Sequence, residues 1–154
     1  MSLDKTLPLL VADNISKTYS HNGVDNAVIG DVSLKLYPGE VVSVVGPSGC
    51  GKSTLLRIAS NLEANTGGNC SIDRDSIGYV FQDATLMPWR TVVRNVELIA
   101  ELHKLPKAER HQLAAEAIEL VGLSGFEDKY PRQLSGGMRM RASLARSLVM
   151  KPKV

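Results

Sequence analysis

The sequence has no long apolar run. Its richest stretch, Val41-Val42-Ser43-Val44-Val45, is far shorter than the roughly 20 residues a membrane-spanning helix needs. The first residues, Met1-Ser2-Leu3-Asp4-Lys5, lack the apolar core of a secretory signal. Neither a spanning segment nor a leader is expected, so the chain reads as cytoplasmic, and as peripheral if it works at a membrane. No charge of one sign dominates: 18 Lys and Arg stand against 16 Asp and Glu, a net charge of +2. A basic face for nucleic acid is not expected. Cysteine is nearly absent. Cys50 and Cys70 have no metal-ligand spacing, and a disulfide is not expected in a reducing compartment. There is no internal repeat and no low-complexity segment.

What is present is the composition of a soluble globular domain. The chain has 154 residues, 44% apolar and 22% charged, enough for one domain with a core. Residues 24–29 and 32–36 are β-rich, and Val32, Leu34 and Leu36 alternate with Ser33 and Lys35. His21-Asn22-Gly23 carries the Asn-Gly pair of tight hairpins. Residues 41–45 suit a short strand buried on both faces. A helix is expected from Lys52, because Leu55, Ile58, Ala59 and Leu62 fall on one face, with Gly67-Gly68 ending the region. Residues 71–72 and 77–81 read as further short strands. Helices are expected over 92–104, 107–121 and 136–150. In the second, Pro106 precedes the first turn, Gly122 follows the last apolar residue, and Leu113, Ala117, Leu120 and Val121 form the buried face. In the third, Ala142, Ala145 and Leu148 share a side.

Between the buried strand and the first helix stands Gly46-Pro47-Ser48-Gly49-Cys50-Gly51-Lys52-Ser53, a match to G-x-x-x-x-G-K-[ST]. Glycines let successive backbone N–H groups turn inward onto an anion, and the helix N-terminus adds partial positive charge. Lys52 is placed to reach the β- and γ-phosphates of a nucleotide and the Ser53 hydroxyl to ligate Mg²⁺; Thr54 extends the helix start towards the α-phosphate. At average residue frequencies the pattern arises by chance in on the order of one in 200 chains of this length. The strand before it and the helix after it lower that further. The motif alone leaves kinases, GTPases and helicases open. Cys50, beside Lys52 and near a helix N-terminus, is either a tolerated small residue or a thiol sensitive to reagents.

Leu134-Ser135-Gly136-Gly137 opens the last expected helix. Taken by itself it is a Ser N-cap followed by two glycines. Placed downstream of the phosphate loop and after a helical insert, it resembles the signature of ATP-binding cassette (ABC) ATPases. The resemblance runs from about Leu7 to Val154. It implies an α/β fold: a P-loop NTPase (RecA-like) core with an N-terminal antiparallel β subdomain and a helical subdomain, the C-terminal part of the core missing. The implied divisions are about 5–83 for the β subdomain and phosphate-loop core, about 84–134 for the helical subdomain, and 135–150 for the signature helix. The implied cofactors are ATP and Mg²⁺. Ser135, Gly136 and Gly137 then close over ATP held by a second ATPase subunit in a head-to-tail dimer. The family pattern usually continues with Gln; here it is Met138, whose thioether cannot supply the amide's hydrogen bonds.

Two further segments carry the same resemblance. Tyr79-Val80-Phe81-Gln82 is similar to the family's Q-loop, whose Gln ligates Mg²⁺; Gln82 is otherwise a surface polar residue. Asn14-Ile15-Ser16-Lys17-Thr18-Tyr19 is similar to the strand whose aromatic stacks on adenine; Tyr19 is either that residue or a half-buried strand tyrosine. Leu86-Met87-Pro88-Trp89-Arg90-Thr91-Val92 looks like importer ATPases for nitrate, sulfonates and taurine, in which the helical subdomain docks on transmembrane permease subunits. Trp89 and Arg90 are of interface type; the alternative is a tryptophan packed under a proline turn.

In the family, a segment like 147–154 leads into a strand ending in Asp-Glu, followed by a switch His. None of these stands in the chain, so no catalytic residue is assigned, and His21, His103 and His111 lie outside the motifs. The expectation is the ATPase subunit of an ABC importer of a small anion or sulfonate-like solute. A solute-binding protein is an indirect partner, and the site is on the inner face of the cell membrane. The alternative is a non-hydrolysing ATP-binding remnant or regulator. A soluble ABC ATPase of DNA repair or translation is disfavoured by the absence of coiled coils or a second cassette.

Overall fold

The computed structural model describes residues 7–73 and 76–154. Residues 1–5, read above for a leader, and residues 5–6, where the first subdomain is expected to open, lie outside the described residues. The chain divides into two compact units, Met1–Ile77 with Lys153–Val154, and Gly78–Pro152.

The first unit is built on a long hairpin of β1 (Leu10–His21) and β2 (Val24–Leu36), with β3 (Gly67–Ile72) on the other edge of β1. The order is β2-β1-β3 and both pairings are antiparallel. The hairpin turns on Asn22 and Gly23, with φ of 50° and 77° between the paired His21 and Val24. Both angles are positive, as the two-residue type I′ turn requires. The two β-rich segments at 24–29 and 32–36 prove to be one strand. Two residues of β2, Gly30 and Asp31, stand opposite the single Ser16 of β1, and Asp31 takes φ of 47°. A β-bulge therefore interrupts the alternation without ending the strand.

The helix α1 (Lys52–Ala59) packs Leu55 and Ile58 against Leu10, Ala12, Ile15 and Ile29 of the sheet. It stops earlier than its apolar spacing implied. Asn61 takes φ of 57°, its N–H bonds Ile58 O, and the Leu62 N–H bonds Arg57 O. That pair of bonds closes a Schellman motif and turns Leu62 outward, 55% exposed. Gly67-Gly68 opens β3 rather than ending the helix.

The strands expected at 41–45 and 77–81 are absent; both segments are irregular, and Val41 and Val45 are 92% and 91% exposed. The physical reason is pairing. An apolar run becomes a strand only where its N–H and C=O groups find a ladder, and among the described residues none is offered. Residues 71–72 do form a strand, because β1 supplies Leu10 and Val11 as partners.

The second unit is helical: α2 (Val92–Val96), α3 (Leu98–Leu102), α4 (Lys107–Leu120) and α5 (Gly136–Leu148), with a 3-10 turn at Pro131–Gln133. The helix expected over 92–104 is divided at Glu97 into α2 and α3, though Glu97 N–H still reaches Val93 O at 2.9 Å. The core gathers Val92, Val96, Ile118, Leu123, Ala142 and Ala145 among others. Three of the four residues expected on the buried face of α4 are found there: Ala117 is buried and Leu113 and Val121 pack half-buried against the core; Ala114 and Ile118 join them, while Leu120 is 74% exposed. Beyond the helix, Gly122 takes φ of 66° and Leu123 N–H returns to Ile118 O at 3.0 Å. This second Schellman motif brings Leu123, fully buried, onto Ile118. Arg141 of α5 donates to Val121 O and Gly122 O and so caps the carbonyl end of α4.

Candidate nucleotide site

The phosphate loop lies in the first unit, ahead of α1. Gly51 is the N-cap, with φ of 96°, and no side chain caps the helix. A Cβ added at Gly51 would stand 2.9 Å from Val28 O. Both the angle and the close approach of β2 demand glycine here. No acidic residue occupies the first turn, so the amides of Lys52, Ser53 and Thr54 keep the partial positive charge of the helix end. Ser53 is exposed and Thr54 half-buried. The Lys52 ammonium folds back over the loop, donating to Gly46 O at 2.9 Å and Pro47 O at 2.6 Å, with Cys50 Sγ at 3.7 Å. Pro47, Ser48, Gly49 and Cys50 are exposed. The result is an open loop of backbone donors with one cation tethered to it by two carbonyls.

This donor set fits a polyphosphate: amides at a helix N-terminus, a flexible ammonium, and a cradle that a side chain at Gly51 would fill. Among the described residues no group of three His, Cys, Asp or Glu side chains could hold a metal ion. The Ser53 hydroxyl fits Mg²⁺ only as one ligand beside phosphate oxygens, which is how that ion is commonly held.

Tyr19 lies near the end of β1, opposite Asn26 of β2 and 40% exposed. Its hydroxyl donates to Glu63 Oε1, and the Lys17 ammonium stands 4.9 Å from its ring centroid. Sequence reasoning missed both neighbours. Lys17 shares a strand face with Tyr19 by the period of two; Glu63 is distant in the chain and gave no signal.

Gln82, Ser135, Gly136 and Gly137 belong to the second unit and are all exposed. Gln82 sits in a bend. The segment that follows is tied to α5, since Arg146 donates to the carbonyl and hydroxyl of Thr85, both at 2.9 Å. Ser135 caps α5: its hydroxyl accepts the Met138 N–H at 3.2 Å. Gly136 and Gly137 then offer bare backbone in the first turn. Met138 packs its side chain against the core of the helical unit, an apolar contact that a glutamine amide would not make there. Trp89 is 72% exposed, not packed under the proline turn. Its loop is held from beneath by the fully buried Asn95, whose side chain bonds Met87 N–H and the carbonyls of Met87, Arg90 and Thr91.

A glycine-rich loop opening a helix packed on an antiparallel sheet, followed in the chain by a helical unit, is an arrangement that fits part of the P-loop NTPase fold. The ABC transporter profile matches residues 29–154, and the chain belongs to that family. It is 43% identical over 158 residues to an uncharacterised ABC transporter ATP-binding protein of Methanocaldococcus jannaschii, covering 98% of this chain and 59% of that one. It is 41% identical to the aliphatic sulfonates import ATP-binding protein of Bacillus subtilis, covering 90% and 56%. Relatives named for nitrate and taurine import lie in the same range, at 37% and 41%. Among solved structures, a dimeric post-hydrolysis ATP-binding cassette bound to ADP and Pi superposes with a TM-score of 0.84 at 34% identity, covering 93% of this chain and 70% of that one. The chain spans 59%, 56% and 57% of the Methanocaldococcus, sulfonate and taurine relatives and 24% of the nitrate relative.

Proposed function

We propose that the chain is the nucleotide-binding part of an ATPase subunit that powers an ABC importer. The observation that carries this reading is the phosphate loop: an uncapped helix N-terminus, Gly51 in close approach to β2, and the tethered Lys52 ammonium. On binding ATP, Lys52 exchanges the carbonyls of Gly46 and Pro47 for the β- and γ-phosphate oxygens, a charge-assisted contact for a neutral one. The loop from Gly46 to Gly51 wraps the phosphates with its N–H groups, and Thr54 adds a hydroxyl at the α-phosphate. The Ser53 hydroxyl would be one ligand of a phosphate-bound Mg²⁺, which would neutralise phosphate charge; the Q-loop resemblance implies Gln82 as another. Tyr19 stacks on the adenine.

Ser135, Gly136 and Gly137 act on a different ATP, that held by a second ATPase subunit arranged head to tail. Their support is the exposed, side-chain-poor start of α5. Closure of such a dimer on ATP is a population shift between open and closed states. Trp89 and Arg90, on a loop fixed by Asn95, meet the permease subunits; an exposed tryptophan on a rigid loop is the kind of group that anchors interfaces. Among the described residues no helix is long and apolar enough to cross a membrane, which accords with a peripheral subunit on the cytoplasmic face. The relatives named for sulfonates, taurine and nitrate support a small anion or sulfonate-like solute, reached through a solute-binding protein.

The test is ATP turnover and ATP-dependent dimerisation of the full-length protein carrying Ser135→Arg. The reading expects ATP to bind normally and the closed dimer to be lost. Normal dimerisation with ATP would refute the role of the α5 start. Saturable ATP binding without any turnover by the unsubstituted full-length protein would favour a regulator over an ATPase.

A further inference from the structure

We propose that Glu63 and Lys17 are positioning residues that hold Tyr19 as a one-sided platform for the nucleotide base. The inference rests on the reading of Tyr19 as the stacking residue and adds what fixes it. Tyrosine on an exposed strand end ordinarily moves among rotamers. Here the phenol donates to Glu63 Oε1. The same oxygen lies 3.2 Å from the Lys17 ammonium, which also donates to Ala64 O at 2.7 Å and stands over the Tyr19 ring. The Lys17 and Glu63 side chains are 13% and 19% exposed, while Tyr19 remains 40% exposed. One face of the ring is therefore occupied by the cation, and the opposite face is the one left for a base.

The three groups form a closed set. Glu63 accepts from the phenol and neutralises the ammonium; the ammonium binds the ring quadrupole; the phenol anchors the ring edge. The Tyr19 phenol, then Lys17, hold the Glu63 carboxyl below its ordinary range, so the carboxylate is charged at neutral pH. Glu63 also belongs to the chain that leaves α1, where its N–H bonds Arg57 O at 3.2 Å. One helix thus carries the phosphate loop at its N-terminus and the Tyr19 anchor just past its C-terminus. Phosphate and base contacts are spaced by α1.

The experiment compares the affinities of ATP and of inorganic triphosphate for the full chain, unsubstituted and carrying Tyr19→Ala, Tyr19→Phe, Glu63→Ala or Glu63→Gln. A stacked base contributes about 1–3 kcal/mol, or roughly 5- to 150-fold, so Tyr19→Ala should lose at least about 5-fold in ATP affinity. Freeing the ring forfeits part of this: Glu63→Ala and Tyr19→Phe should each weaken ATP by roughly 3- to 10-fold. Glu63→Gln, which keeps an acceptor for the phenol, should recover most of the loss. Triphosphate affinity should stay constant throughout. If Tyr19→Ala leaves ATP affinity unchanged, the stacking reading fails and the platform with it. Should Tyr19→Ala weaken ATP while Glu63→Ala and Tyr19→Phe do not, the stacking reading stands and the positioning role is overturned. An equal loss of ATP and triphosphate in Glu63→Ala also overturns it, since that is the mark of general damage to the sheet unit.

Discussion

Asn95 is the most exacting test of the helical unit. It is fully buried. Its Oδ1 accepts Met87 N–H at 2.7 Å, and its Nδ2 faces Met87 O at 3.1 Å and Arg90 O and Thr91 O, both at 3.0 Å. Two amide hydrogens serve three acceptors, so about three bonds exist at once. In Asn95→Ala, Thr91 O keeps the Asn95 backbone N–H and Met87 O keeps that of Arg90. Met87 N–H and Arg90 O lose the partners Asn95 gave them. Three bonds at about 1 kcal/mol each, or two orphaned groups at about 1–3 kcal/mol each, give a loss of about 3 kcal/mol. With a urea slope of about 1–3 kcal/mol per molar, the midpoint falls by about 1–3 M. Trp89 is the sole tryptophan and rides on the loop that Asn95 holds, so its fluorescence reports this unit. Asn95→Asp should be no better, because it sets a carboxylate against three carbonyls. A loss below about 1 kcal/mol for Asn95→Ala would refute the accounting and the view that Asn95 makes the Trp89 loop rigid.

Three further outcomes follow from the geometry. A thiol reagent should modify Cys50, which is exposed, at least about tenfold faster than Cys70, whose pKa burial raises; ATP should protect Cys50, and equal rates by peptide mapping would contradict this. Gly51→Ala should cost more than about 2 kcal/mol in unfolding free energy and abolish ATP binding, since it combines positive φ with a contact to Val28 O; retained ATP affinity would show that the loop tolerates a different path. The carboxyls of Glu101 and Glu116 are held below their ordinary value of 4.5, the first chiefly by a hydrogen bond from Arg90 and the second by one from Lys151. A carboxyl whose pKa is lower in the folded state stabilises above its unfolded pKa and loses that effect as pH falls through the folded one. The helical unit should therefore hold a level midpoint from about pH 7 to 5 and weaken below about 4.5, only slightly, because the Lys151–Glu116 pair is exposed, the Arg90–Glu101 pair is half-exposed, and salt screens both; a midpoint that rises in acid would contradict the sign.

Local chemistry was legible in the sequence and pairing at a distance was not. The Asn22-Gly23 turn, the helix start at Lys52 and the Ser135 cap are each set by residues within a few positions, and each is found where the pattern placed it. Residues 41–45 and 77–81 have the composition of strands, but a strand is a relation to a neighbour, and composition does not say whether one is paired. On α4 only Leu120 was misplaced, and for a nearer reason: Gly122 folds Leu123 back onto Ile118, and a helical wheel drawn only to Val121 omits that buried residue. Asp31 misled in the same way, since a bulge breaks the alternation while the ladder continues. Glu63 and Asn95 escaped notice because a lone Glu and a lone Asn carry no pattern. Their roles come from the phenol, ammonium and backbone groups the fold brings to them.

In the function proposed for this chain, the loop from Gly46 to Thr54 holds the phosphates of ATP through Lys52. Equilibrium titration of the folded chain with ATP and Mg²⁺, beside its Lys52→Ala variant, tests it most directly. Binding should be saturable and should weaken at least about tenfold when the ammonium is removed, the worth of a charge-assisted contact. Equal affinities for the two proteins, or no ATP binding by the unsubstituted folded chain, would contradict it.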